Sequence, residues 1–161
     1  MTRADPHYRS RLRRPANVCA DIAVPRDREV NMTTWNDLKT YVHSHYKIAD
    51  EQDNMIKLIF ETRDMRSQVV VLWHLTLSGN GEEWVQIESP FGELGSIDLT
   101  AALQAVGNTV CGGMALFGNM VTFRHSLPLA DLNIAEFESP LALVTTTADQ
   151  LEKTLVGGDK F

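Results

Sequence analysis

The chain has 161 residues, 43% of them hydrophobic and 22% charged, the proportions of one globular domain rather than of a fibrous or wholly unstructured chain. Its net charge of −6 is unevenly spread: residues 1–31 carry seven Arg against four acids, and residues 32–161 carry eight Lys or Arg against 17 acids. An acidic body lacks the basic face that phosphate binding requires, which argues against nucleic acid as a partner, and an apolar run no longer than Val69–Trp73 is far short of the ~20 residues of a membrane-spanning helix.

Residues 1–32 hold Pro6, Pro15, Pro25 and the arginine cluster without apolar periodicity. Such a stretch cannot bury enough surface to offset its ordering entropy, so it is predicted to be a disordered leader before a domain over residues 33–161. It has no apolar core for a secretory or twin-arginine signal, and Asp5, Asp21, Asp27 and Glu29 count against a transit peptide. Met32, just ahead of the folded pattern, is an alternative translation start. Cys19 and Cys111, far apart in an ordinary domain, read as thiols of a reducing compartment.

Helix A is predicted from Thr34 to Lys47, capped by Thr33 or Thr34, with Trp35, Leu38, Tyr41, Val42 and Tyr46 on one face. Residues 50–54 form a polar break. A first strand, Met55 to Thr62, sets Ile56, Leu58 and Phe60 opposite Met55 and Ile59. After a turn at residues 63–66, a second strand from Gln68 to Leu77 is apolar on both faces, with Val69, Val71, Trp73 and Leu75 against Val70 and Leu72. Such a strand is covered on both sides or carries a binding surface on one.

Asn80-Gly81 signals a hairpin into a third strand, Trp84 to Ser89, which Pro90 and Gly92 are expected to end. Helix B runs from Asp98 to Val106, with Gly107 expected in the left-handed region. Gly112-Gly113 leads to a fourth strand, Met114 to Phe117, and the Gly118-Asn119 turn to a fifth, Met120 to Leu127. Helix C opens on an Asn133–Glu136 capping box. Pro140 either begins the main helix or kinks a longer one, and Gly157-Gly158 stops it. The expected fold is a two-layer α+β domain of order α-β-β-β-α-β-β-α, a five-stranded, mostly antiparallel sheet covered by helices.

Chemistry is sparse. His43 and His45 point about 200° apart on a helix and cannot share a metal. His74 or His125 could serve a small hydrolase-like enzyme as general base, yet no nucleophile is defined beside either: Ser126, next to His125, faces the other side of the sheet. No catalytic residue, metal site or cofactor is predicted. The apolar faces point instead to a protein or peptide partner, or to a second copy of the chain. The candidate contact residues are Trp35, Val42, Met55, Ile59, Leu72 and Trp84.

Four stretches carry a family likeness: Trp35-Asn36-Asp37-Leu38; Phe91-Gly92 with Ile97-Asp98-Leu99; Phe123-Arg124-His125-Ser126-Leu127-Pro128-Leu129; and Ala148-Asp149-Gln150-Leu151 before the Gly157–Phe161 tail. Over about Thr33 to Phe161 the pattern resembles the YbjN family of bacterial sensory-transduction regulators and the type III secretion chaperone-like fold. That resemblance implies a cytoplasmic, cofactor-free, non-enzymatic protein, a homodimer, holding an extended segment of another protein on apolar patches. The Arg-rich leader departs from the family pattern.

Overall fold

The computed structural model describes residues 31–32 and 34–161, so the expected leader and Cys19 lie outside the described residues, apart from Asn31–Met32. Those two form a short strand, β1, two residues ahead of the expected start of the domain. Then come α1 (Trp35–His45), β2 (Ile48–Gln52), β3 (Met55–Glu61), β4 (Ser67–Thr76), β5 (Glu83–Glu93), α2 (Leu99–Val106), β6 (Gly113–Phe117), β7 (Met120–Pro128), β8 (Leu132–Asn133) and α3 (Ile134–Leu155). β1 pairs with β8; the other six strands form one antiparallel sheet in the order β2-β3-β4-β5-β7-β6.

The α+β class stands, but the main sheet has six strands and not five, giving α-β-β-β-β-α-β-β-α. The missed strand, β2, reads Ile-Ala-Asp-Glu-Gln. It is an edge strand whose charges keep other chains from pairing with it, and those same charges hide it in a hydrophobicity pattern. It also shortens the first helix, which ends at His45 and not at Lys47.

Two further expectations change. β5 does not stop at Pro90 but runs on to Glu93, because a bulge between Pro90 and Gly92 absorbs the residue that cannot donate to the ladder. Gly107 is right-handed at φ −60°, since the chain leaves α2 through successive three-residue turns, from Asn108 to Ala105 and from Thr109 to Val106. Pro140 lies inside one continuous helix, α3, whose start is fixed by reciprocal bonds between Asn133 and Glu136.

α1 and α3 cover one face of the sheet. Trp35, Leu38 and Val42 from α1, and Phe137, Leu141, Val144, Ala148 and Leu151 from α3, pack on Ile56, Leu58, Val70, Leu72, Val85, Ile87 and Phe123. Each such buried side chain contributes about 1.5–3 kcal/mol relative to exposure. A polar clasp ties α1 to α3 at the rim of this layer: Glu138 accepts from the Tyr41 hydroxyl at 2.8 Å and from the Tyr46 hydroxyl at 2.5 Å.

Burial, and after it the Glu138 carboxylate as hydrogen-bond acceptor and negative charge, pushes both tyrosines far above their ordinary value of 10.0. The unfolded chain therefore releases these protons first. The clasp contributes in full below about pH 10 and is lost as pH climbs beyond it. Melting temperature measured against pH should hold to about pH 9.5 and then fall. In Tyr41→Phe/Tyr46→Phe this alkaline fall should be shallower; an identical fall would show that the clasp does not couple to stability.

Candidate functional site

The second face of the sheet has no described element lying over it. Strand register decides which side chains reach it. Met55 pairs with Trp73 and Ile59 with Val69, whereas Ile56 pairs with Leu72 and Leu58 with Val70. Across the next seam Val71 pairs with Glu88, Trp73 with Gln86 and Leu75 with Trp84. Glu88 in turn pairs with Arg124, and Ala115 with Thr122. Paired residues share a face, so Ile59, Val69, Val71, Trp73, Leu75 and Trp84 form an apolar field on the helix-free side. Ile59 is 52% exposed and Leu75 40%, while Val69, Val71, Trp73 and Trp84 are half-buried.

One buried carboxylate lies in this field. Glu88 is 4% exposed. One oxygen accepts from Trp73 Nε1 at 2.9 Å and the other from Thr122 Oγ1 at 2.7 Å, which links β4, β5 and β7. The Trp73 ring leans against Phe117 on β6, with centroids 5.7 Å apart. Trp84 Nε1 is buried without a hydrogen-bond partner among the described residues.

The six residues expected at a contact surface divide. Ile59 and Trp84 lie on the helix-free face and keep exposure. The expectation of exposure fails for the other four. Val42 on α1 and Leu72 on β4 are fully buried between the helices and the sheet, and Trp35, also on α1, is held there by a bond from Nε1 to the Asp53 carbonyl at 3.0 Å. Met55 is on the helix-free face but buried. For Leu72 the cause is that period-two alternation separates two faces without saying which is covered: register puts it on the opposite side from Ile59. Trp35 and Val42 lie on the α1 stripe that packs on the sheet. Trp73, Glu88, Phe117 and Thr122 were not singled out. Their signal was the two-sided apolar character of β4, which was visible, but a lone Glu in a strand looks solvated until its neighbours are known.

The histidines have structural company. His74 is on the covered side, stacked on Trp35 with centroids 5.2 Å apart, and its Nε2 is 3.1 Å from Glu83 Oε1. His125 pairs with Ile87 and Ser126 with Gln86, on opposite faces. One surface hollow lies along α1 by Lys39 and His43 and another at the turn by Met65 and Arg66; neither is lined by His74 or His125.

The sheet has two outer edges. On β2 the acids Asp50 and Glu51 guard it; β6, Gly-Met-Ala-Leu-Phe, has neither charge nor proline. Beside β6, α2 leaves Leu99 and Leu103 exposed, Leu103 at 58%, and Leu116 and Phe117 on β6 are exposed as well.

No family model matches the chain, and no curated protein does. Among solved structures it is similar to a chain of the HopA1–SchA chaperone–effector complex, with a TM-score of 0.51 and 10% identity over 71% of this chain and 87% of that one. The likeness is one of fold. No helix among the described residues is long and apolar enough to cross a membrane.

Proposed function

We propose that the chain is a non-catalytic, chaperone-like module that holds an extended apolar segment of another protein on the helix-free face of its sheet. The observation that carries this reading is that face itself: six apolar side chains on three strands, exposed or half-buried, with no described element above them. A field of this kind usually marks an interaction surface. The fold likeness to a chaperone–effector complex supports it. The reading extends to a YbjN-like cytoplasmic protein. It also extends to a homodimer through the unguarded β6 edge and the exposed leucines of α2.

Two experiments test it. The first uses a fluorescein-labelled peptide of alternating Val and Thr, whose binding is followed by anisotropy. Ile59→Asp/Leu75→Asp should weaken binding at least tenfold while melting within about 3 °C of the wild type, because both sites are solvent-accessible. Unchanged affinity overturns the assignment of the face. The second uses light scattering, which should give twice the 18.0 kDa chain mass for the wild type and a single chain mass for Leu103→Asp. A monomeric wild type removes the homodimer from the proposal.

A further inference from the structure

The geometry points to Glu88 as a specificity-determining residue: we infer that the helix-free face selects a partner segment carrying an arginine among its apolar side chains, with the guanidinium seated on Glu88 against Trp73 and Phe117. This rests on the reading of that face as a protein-binding surface.

The argument starts from an uncompensated charge. A carboxylate removed from water costs several kcal/mol unless a cation or a full set of donors meets it. Glu88 receives two neutral donors, Trp73 Nε1 and Thr122 Oγ1, and among the described residues no Lys, Arg or His lies within ion-pairing distance of it. Arg124, its register partner on β7, is exposed and does not fold back onto it. Folding would be served as well by a glutamine. Its amide oxygen could accept from Trp73, and its NH₂ could donate to Thr122, whose hydroxyl works in both directions. The charge is therefore spent on something outside the described residues.

Its surroundings specify what. Trp73 meets the carboxylate with the N–H edge of its indole, and Phe117, 58% exposed at the last position of an edge strand, leans on the Trp73 ring and can swing aside. Aromatic faces beside a carboxylate suit the flat, weakly hydrated guanidinium better than a compact ammonium. The apolar field around it accommodates the rest of the segment, and the net −9 of residues 32–161 draws a cationic partner in. Arg124 and Lys57 on the same face oppose it locally.

The test compares two labelled peptides that alternate Val and Thr around one central residue, arginine in one and its neutral isostere citrulline in the other. The wild type should prefer the arginine peptide at least tenfold. Glu88→Gln should bind both as the wild type binds the citrulline peptide, with its melting temperature preserved. Phe117→Ala, at an exposed site, should cut the preference several-fold, so a Glu88→Gln chain that fails to fold still leaves a decisive variant. Equal affinity of the wild type for the two peptides, or a preference that survives Glu88→Gln, overturns the arginine site and leaves the face as a binding surface. Absence of binding by either peptide overturns both.

Discussion

Arg66→Met should cost the fold about 2–4 kcal/mol, the lower part of that range reflecting the solvent still open to Arg66, and lower the melting temperature by roughly 8–12 °C. Arg66 is the centre of a latch between the β3–β4 turn and the end of the chain. Its Nε donates to Asp149 at 2.7 Å, its Nη2 to Glu152 at 2.9 Å, and its Nη1 to the Gly158 carbonyl. Glu152 is fully buried, and its other oxygen accepts the Lys160 amide at 2.6 Å. Asp149, with Glu152 and Asp159 behind it, holds the Arg66 guanidinium above its usual range. Removing the guanidinium leaves Glu152 charged, buried and short of a partner, and it frees the tail that Gly158 and Asp159 anchor. A double-mutant cycle with Glu152→Gln should show the two losses to be strongly non-additive. Additive losses, or a near-neutral Arg66→Met, would refute the latch. The exposed pair between Lys153 and Asp64 provides the contrast: Lys153→Met should leave the melting temperature almost where it is.

Gly112→Ala is expected to destabilise the protein by about 2–4 kcal/mol, whereas Gly113→Ala should be neutral or slightly stabilising. The two glycines are adjacent and look alike in the sequence. Gly112 has φ +81°, and a Cβ there would sit 2.6 Å from Cζ of Phe123 and 3.0 Å from the Arg124 carbonyl. Phe123 is fully buried in the core and cannot yield. An L-residue at Gly112 thus pays a left-handed backbone penalty and an overpacking penalty together. At Gly113 nothing lies within 4 Å of the added atom. Urea unfolding of the two variants measures the difference; equal midpoints would show that the close approach of Gly112 to Phe123 does not constrain the fold.

Elements whose cause is local were legible in the sequence. Asn80-Gly81 and Gly118-Asn119 were read as the turns that join β4 to β5 and β6 to β7. Asn133 with Glu136 closes the expected capping box at the start of α3, and Thr34, one of the two expected caps, starts α1. What depends on neighbours was not legible. β2 looks like a polar loop because an edge strand is stabilised by one partner's backbone and needs no apolar pattern. Pro90 looks like a terminator because the bulge that accommodates it depends on Val121 and Thr122 of a strand some thirty residues on. The candidate site was half-visible for the same reason. The double-sided hydrophobicity of β4 announced a second apolar face, but only register against β3 and β5 divides Val69, Val71 and Trp73 from Val70 and Leu72. The burial of Glu88 needs Trp73 and Thr122, on two other strands, neither of which a window of sequence around it contains.

The Glu138 clasp and the Arg66 latch each join residues more than eighty positions apart, from 97 for Tyr41 with Glu138 to 83 for Arg66 with Asp149. A chain leaving the ribosome therefore completes neither until α3 has followed it out. Until then α1 and the first hairpins wait with one flank bare, so the nascent protein is itself a client for whatever guards unfinished chains in the cell.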